Sequence, residues 1–385
     1  MQESFIDRPD QLASFVDSLR TAPWLAVDTE FMRERTYFPR LCLIQVASEN
    51  RAACIDPLAL EDLSPLKGLL LDPAITKVFH AARQDLEIFL HLWGELPTPI
   101  FDTQPAAALL GIGDQVGYGA LVQEMLGVNL AKDHSRTDWS QRPLQRAQLR
   151  YALDDVVHLG RAYTRMHARL KALGRLEWLE AEFEHLTDPA TYALEPMEMW
   201  KRVKGRQHLK GVRLAVLQQL AAWREEEALA RDLPRRWVLK DELLLELARR
   251  CPRDHKALSR VRGVDNALLR RHGDGLLASI RKGLEQPRQR WPKEKPRPAK
   301  LDATQEATLD ILGGALRLIA EEAGLSPQLI ASRKDLAALL EGATDARLLQ
   351  GWRRKLAGEP LQELLRGNRR ITLTDGTPLL ESGEG

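Results

Sequence analysis

Short apolar runs alternate with helical patterns through about the first 115 residues. The runs WLAVD, LCLIQVA, RAACID and KVFHAA begin at Trp24, Leu41, Arg51 and Lys77. They are rich in Val, Ile, Leu and Ala, are bounded by Pro, Asn, Asp and Ser, and have the length of strands. LSPLKGLL, from Leu63, and RQDLEIFLHLW, from Arg83, carry helical spacing. The first three strand candidates lie close together, as in an antiparallel meander, and later ones alternate with helices. That order predicts a mixed sheet with flanking helices, an α/β domain.

Beyond residue 118 the pattern turns helical. YGALVQEMLG is a short amphipathic helix ended by Gly127. From Pro143, placed as at a helix start, to Leu173 the spacing predicts one long helix with Leu149, Leu153, Val156 and Val157 on its apolar face. Residues 208–285 are helical by pattern, and Trp237 within them is apolar enough for a core. QPRQRWPKEKPRPAK, from Gln286, holds four prolines among many charges and reads as an extended linker. After it AGLSPQLIASRKDLAALL, from Ala323, repeats RDLPRRWVLKDELLLELA, from Arg231: a helix ends before proline, a short apolar piece follows, and Lys-Asp opens a Leu-rich helix. This predicts an internal duplication of a small helical domain. The expected divisions are 1–205, 206–287, a linker at 288–302, and 303–385, with a frayed polar end.

Charge divides the chain further. The net charge of +2 conceals 19 Lys/Arg against 29 Asp/Glu in residues 1–200, and 37 against 25 in the rest. An acidic first half suits cations, and a basic second half suits a polyanion such as nucleic acid. Cys42, Cys54 and Cys251 lack metal-binding spacing and read as reduced thiols of a cytoplasmic protein. The N-terminus has acids and no apolar stretch of a signal peptide, and no run approaches the ~20 residues of a membrane span.

The acids of the first half carry the candidate chemistry. Asp28 and Glu30, two apart at the end of a strand, project from one face, with Thr29 turned the other way into packing. Asp85 lies near a helix start. Tyr151 and Asp155 are one turn apart on a helix, and Asp154 is near enough to compete for the same role. Such carboxylates can hold two divalent cations roughly 4 Å apart, the arrangement that activates water and stabilises a leaving oxygen in phosphodiester hydrolysis. Asp102, after an apolar run, reads as structural or as support behind the site, and His80 as a hydrogen-bonded core histidine. Lys132, Arg136 and Arg142 are placed either to meet a phosphate backbone or to serve structure, and His134 has no partner at ligand spacing. The glycines of GIGDQVGYG form a loop rather than a phosphate cradle. Near Trp237, RDLPRRWVLK and RRCPRDHKALSRVRG offer arginines for salt-dependent phosphate contacts.

Three segments resemble the ribonuclease D family, tyrosine-bearing members of the DEDD exonucleases. They are WLAVDTEFMRERTYFPRLCLIQ (24–45), VFHAARQDLEIFL (78–90) and TDWSQRPLQRAQLRYALDDV (137–156). The duplicated half resembles paired HRDC domains, so the likeness spans nearly the whole chain. The resemblance implies a ribonuclease H-like exonuclease domain followed by two small all-α HRDC-type domains. It implies Asp28, Glu30, Asp85 and Asp155 as ligands of two divalent metal ions (Mg²⁺ or Mn²⁺), choosing Asp155 over Asp154, and Tyr151 as the residue that positions the attacking water. It further implies 3′→5′ release of 5′-mononucleotides from RNA, notably from tRNA precursors and other structured RNAs with free 3′ ends. A DNA 3′–5′ exonuclease and a non-catalytic nucleic-acid-binding scaffold are the competing readings.

Overall fold

Strands β1 (Gln2–Ile6), β2 (Trp24–Met32), β3 (Arg40–Ala47), β4 (Arg51–Ile55), β5 (Thr76–Phe79) and β6 (Ile100–Asp102) form one sheet in the order β1-β4-β3-β2-β5-β6. The computed structural model that shows this describes residues 1–130, 137–294 and 301–383. β3 and β4 pair antiparallel with Val46 opposite Ala53, while β1–β4, β2–β5 and β5–β6 are parallel, so the sheet is mixed as the pattern predicts. Consecutive residues Leu25, Ala26 and Val27 of β2 are all buried, as are Cys42, Leu43 and Ile44 of β3. Both faces of the central strands are therefore covered, which explains their unbroken apolar runs. β1 and β6 were not expected. β1 is largely exposed and carries little apolar pattern, and β6 has only three residues.

The long helix runs Arg146–Ala172, starting beyond Pro143. Gln145 and Gln148 exchange side-chain and backbone hydrogen bonds in a capping box that sets the start there. Gly160 lets this helix dock against the sheet: a Cβ at Gly160 would lie 2.4 Å from the Trp24 ring at the head of β2. The register of that contact sets which residues, one and two turns earlier, face the end of β2.

The chain forms two compact units. One comprises Met1–Glu30, Leu41–Thr191 and Ala299–Gly385, the other Phe31–Arg40 and Tyr192–Pro298. In the second unit, helices Val212–Ala230, Arg235–Val238, Asp241–Arg250, His255–Ser259 and Asn266–Glu285 enclose a core of Leu217, Leu220, Leu244, Leu247, Leu276 and Ile280. Trp237 is not in that core. It is 61% exposed, because the one-turn helix Arg235–Val238 turns Val238 inward instead. Of the proline-rich stretch, Trp291 donates its indole N–H to Gln286 O at 2.9 Å and Glu294 pairs with Arg206 at 2.9 Å. Residues 295–300 lie outside the described residues.

Residues 301–383 repeat the order of elements: a long helix (Ala303–Ala323), a one-turn helix opened by Pro327 (Pro327–Ile330), and a third helix (Arg333–Leu340). Their core of Leu309, Leu312, Leu316, Ile330, Leu336 and Leu361 belongs to the unit that holds the large sheet. Trp178 stacks on Trp352 with ring centroids 4.6 Å apart. Arg175 donates to Leu109 O at 2.7 Å and to Ala323 O at 2.6 Å. The end of the chain adds a hairpin to this otherwise helical part, β7 (Arg369–Thr374) and β8 (Thr377–Ser382). Asp375 (φ 51°) and Gly376 (φ 78°) form its turn, the positive-φ pair that two-residue hairpins favour. Among the described residues no helix is long and apolar enough to cross a membrane.

Candidate active site

β2 occupies an interior position of the sheet, between β3 and β5, and carries Asp28 and Glu30 on one face near its end. The helix Arg146–Ala172 brings Asp155 to them. Carboxylate oxygens of Asp28, Glu30 and Asp155 lie within 4.8 Å of one another. Asp154 is turned elsewhere: its Oδ1 pairs with Arg150 at 2.8 Å and lies 3.7 Å from His158 Nε2.

Asp85 stands beside this group rather than within it. It is the third residue of the helix Arg83–Trp93, only 5% exposed, and its Oδ1 accepts from Thr29 Oγ1 at 2.5 Å. Thr29 is thus buried as expected, yet it does more than pack, since it fixes the carboxylate of a neighbouring acid. Asp102 holds the approach to that helix. Its carboxylate accepts from Ala81 N and Ala82 N, each at 2.9 Å, and from Gln104 N at 2.9 Å as the cap of the helix Thr103–Leu109. His80 is a hydrogen-bonded interior histidine, with Nδ1 2.9 Å from Thr103 Oγ1, and burial lowers it to about 4.

Tyr151 lies one turn before Asp155, tilted against Trp139 at 6.2 Å between centroids. Burial, followed by the charges of Asp155, Glu30 and Asp28, raises its hydroxyl well above the usual phenol range. Tyr118 was not anticipated. Its hydroxyl donates to Asp154 O at 3.0 Å and to Asp155 O, bracing the helix where Asp155 projects. No local signal marks it, because the contact joins residues far apart in sequence. Arg142 is structural: it grips Asp56 at 2.6 and 2.7 Å and Cys42 O at 2.7 Å. Lys132, His134 and Arg136 lie outside the described residues.

The carboxylates crowd one another electrostatically. Burial, then the charge of Asp155, raises Asp28 well above the carboxylate range. Glu30 is pushed up to about 9 by burial and then by Asp28, Asp155 and Asp85. Asp155 rises to about 7 through burial and Asp154, and Asp85 rises through burial and Asp28 against the opposing Thr29 hydrogen bond. Hard oxygen donors crowded until they hold protons are a donor set suited to a divalent cation, whose charge would favour the ionised forms.

Comparison with known proteins identifies the family. Residues 4–171 match the 3′-5′ exonuclease family and residues 213–280 the HRDC domain. Ribonuclease D of Gluconacetobacter diazotrophicus is 43% identical over 380 residues, covering 97% of this chain and 95% of that protein. The chain belongs to the ribonuclease D family. Ribonuclease D of Granulibacter bethesdensis is 42% identical over 375 residues, covering 94% of this chain and 93% of its own. The crystal structure of Escherichia coli RNase D, an exoribonuclease involved in structured RNA processing, matches with a TM-score of 0.82 at 35% identity, over 95% of this chain and 99% of that one. As a ribonuclease D the chain is a nuclease, its exonuclease domain built on the mixed sheet and its HRDC region helical. The second helical segment shares the element order of the first, although the HRDC match covers only the first.

Proposed function

We propose that this ribonuclease D shortens RNA from its 3′ end, releasing 5′-mononucleotides, and that its substrates are tRNA precursors and other structured RNAs. The observation that carries the catalytic reading is the meeting of Asp28, Glu30 and Asp155 oxygens within 4.8 Å, beside Asp85 and one turn from Tyr151. In this reading Asp28, Glu30, Asp85 and Asp155 hold two divalent cations, Mg²⁺ or Mn²⁺. Bound there, the cations lower the pKa of water and stabilise charge on the leaving oxygen. Asp28 and Glu30 present their oxygens from a rigid strand flanked on both sides by others. Thr29 orients Asp85 through its hydroxyl. The raised pKa of Tyr151 keeps its proton at neutral pH, so it orients the attacking water by hydrogen bonding.

The RNA assignment is supported by the basic second half and by the role of the Escherichia coli relative in structured RNA processing. The division into an exonuclease domain (1–205), two helical domains (206–287 and 303–385) and a linker (288–302) is part of the same reading, as is a cytoplasmic site of action, where all three cysteines stay free thiols. The test is mononucleotide release from an end-labelled tRNA precursor with Mg²⁺ or Mn²⁺, with Asp28→Asn as control. Equal, metal-independent behaviour of the two proteins would sink the catalytic reading. Faster digestion of single-stranded DNA than of the precursor would replace RNA with DNA as substrate.

A further inference from the structure

The exposed indole of Trp237 forgoes the burial that makes tryptophan stabilising in a core. The internal repeat shows that the fold does not require it. Residues 231–248 and 323–340 align without a gap, and their buried positions coincide: Val238, Leu244 and Leu247 in one copy, Ile330, Leu336 and Leu339 in the other. The left-handed residues Asp232 (φ 47°) and Gly324 (φ 62°) coincide as well. In this alignment Gln328, Leu329 and Ser332 stand where the first copy has Arg236, Trp237 and Lys240, and Leu329 packs against its own core.

Trp237 lines a cleft of about 760 Å³ made wholly of residues of the helical unit. Leu243 and Leu268 give the cleft an apolar part and are themselves packed against the core. Gly263 (φ 94°) lets its loop lie against Leu243, since a Cβ there would sit 3.7 Å from Leu243 Cδ1, and the same turn brings Arg262 to the cleft. Of the charged residues in the lining, Arg250 is paired with Glu246 at 2.5 Å. Arg236, Lys240 and Arg262 have no ion-pair partner among the described residues, which leaves three cations against Glu242.

An indole beside unpaired cations offers a base a stacking surface and its phosphates a counter-charge. A cleft within the roughly 300–1,000 Å³ range of ligand pockets suits a splayed base, whereas a base inside a duplex has no free face to present. We propose that this cleft captures an unpaired nucleotide of the RNA, its base stacked on Trp237 and its flanking phosphates held by Arg236, Lys240 and Arg262. The first copy of the repeat carries this site and the second does not.

The proposal rests on RNA being the substrate, so its test reads binding with hydrolysis switched off. Full-length protein carrying Asp28→Asn is titrated, in chelator, into a short labelled oligoadenylate and into a blunt RNA duplex of equal length, and binding is followed by fluorescence anisotropy. Trp237→Ala weakens binding of the oligoadenylate about tenfold and of the duplex by less than about twofold. Trp237→Phe, which keeps a ring, stays within about threefold of the parent on both. Arg236→Ala and Lys240→Ala each flatten the slope of log affinity against log salt for the oligoadenylate by about 0.7. All these side chains are exposed, so the variants melt with the parent and lost binding is not lost fold. Unchanged oligoadenylate binding by Trp237→Ala would overturn the proposal, as would an equal loss on the duplex. A parent that binds neither RNA would instead refute the RNA reading itself.

Discussion

Replacing Glu30 with Gln should make the cation-free protein more stable, although it destroys the proposed cation site. Glu30 is held up to about 9 against an ordinary 4.5. Below pH 4.5 the folded and unfolded chains both keep this proton, so folding is indifferent to it. Above pH 4.5 the unfolded chain releases the proton while the folded chain retains it, so stability falls with rising pH until about pH 9, where the folded chain releases it too. The loss accumulates at about 1.4 kcal/mol per pH unit, so at pH 7 it reaches about 3.5 kcal/mol. Solvent at the partly open site screens this to about 1–3 kcal/mol. Glutamine occupies the same space without the titration. Thermal unfolding in the presence of a chelator should show the variant melting a few degrees higher at pH 7, at roughly 2–4 °C per kcal/mol. The advantage should widen toward pH 9 and vanish at pH 4. Adding Mn²⁺ should reverse the order, since a cation favours the ionised carboxylates of the parent. A variant that melts no higher than the parent at pH 8 without metal, or keeps its advantage at pH 4, would refute the crowding argument.

Tyr151→Phe should lower kcat by about 10²–10⁴-fold if the hydroxyl orients the attacking water, with Mn²⁺ affinity near that of the parent by calorimetry. Gly160→Ala should destabilise the protein by about 1–3 kcal/mol in denaturant unfolding, because the new methyl meets the Trp24 ring at 2.4 Å. Arg142→Ala should be worse, at about 3–5 kcal/mol, since it leaves the 3%-exposed Asp56 carboxylate without its guanidinium; the Arg142→Ala, Asp56→Asn double variant should recover part of that loss.

The acids at the end of β2 were legible because an unbroken apolar run leads directly into Asp-Thr-Glu, and the two-residue period puts both acids on one face. The helical pair was half legible. Spacing allowed either Asp154 or Asp155, and two things separate them: a local i,i+4 pair draws Asp154 to Arg150, and the tertiary docking at Gly160 turns Asp155 toward β2. Trp237 misled because hydrophobicity does not say which side of a one-turn helix faces inward. The terminal hairpin carries its signal in TLTDGTPLL, Asp-Gly between apolar and threonine positions, but it follows a stretch of helical periodicity that predicts an all-helical domain.

Arg175 is held by carbonyls of Leu109 and Ala323, and Trp178 by Trp352. Residues that follow the helical unit in the chain therefore complete the packing of a unit whose strands precede it. On the ribosome, the intervening helical unit has all of its sequence before the sheet-bearing unit has acquired its final helices. An expression fragment cut after residue 205 would carry every acid of the site yet leave this arginine with one of its two carbonyls and this tryptophan without its stacking partner.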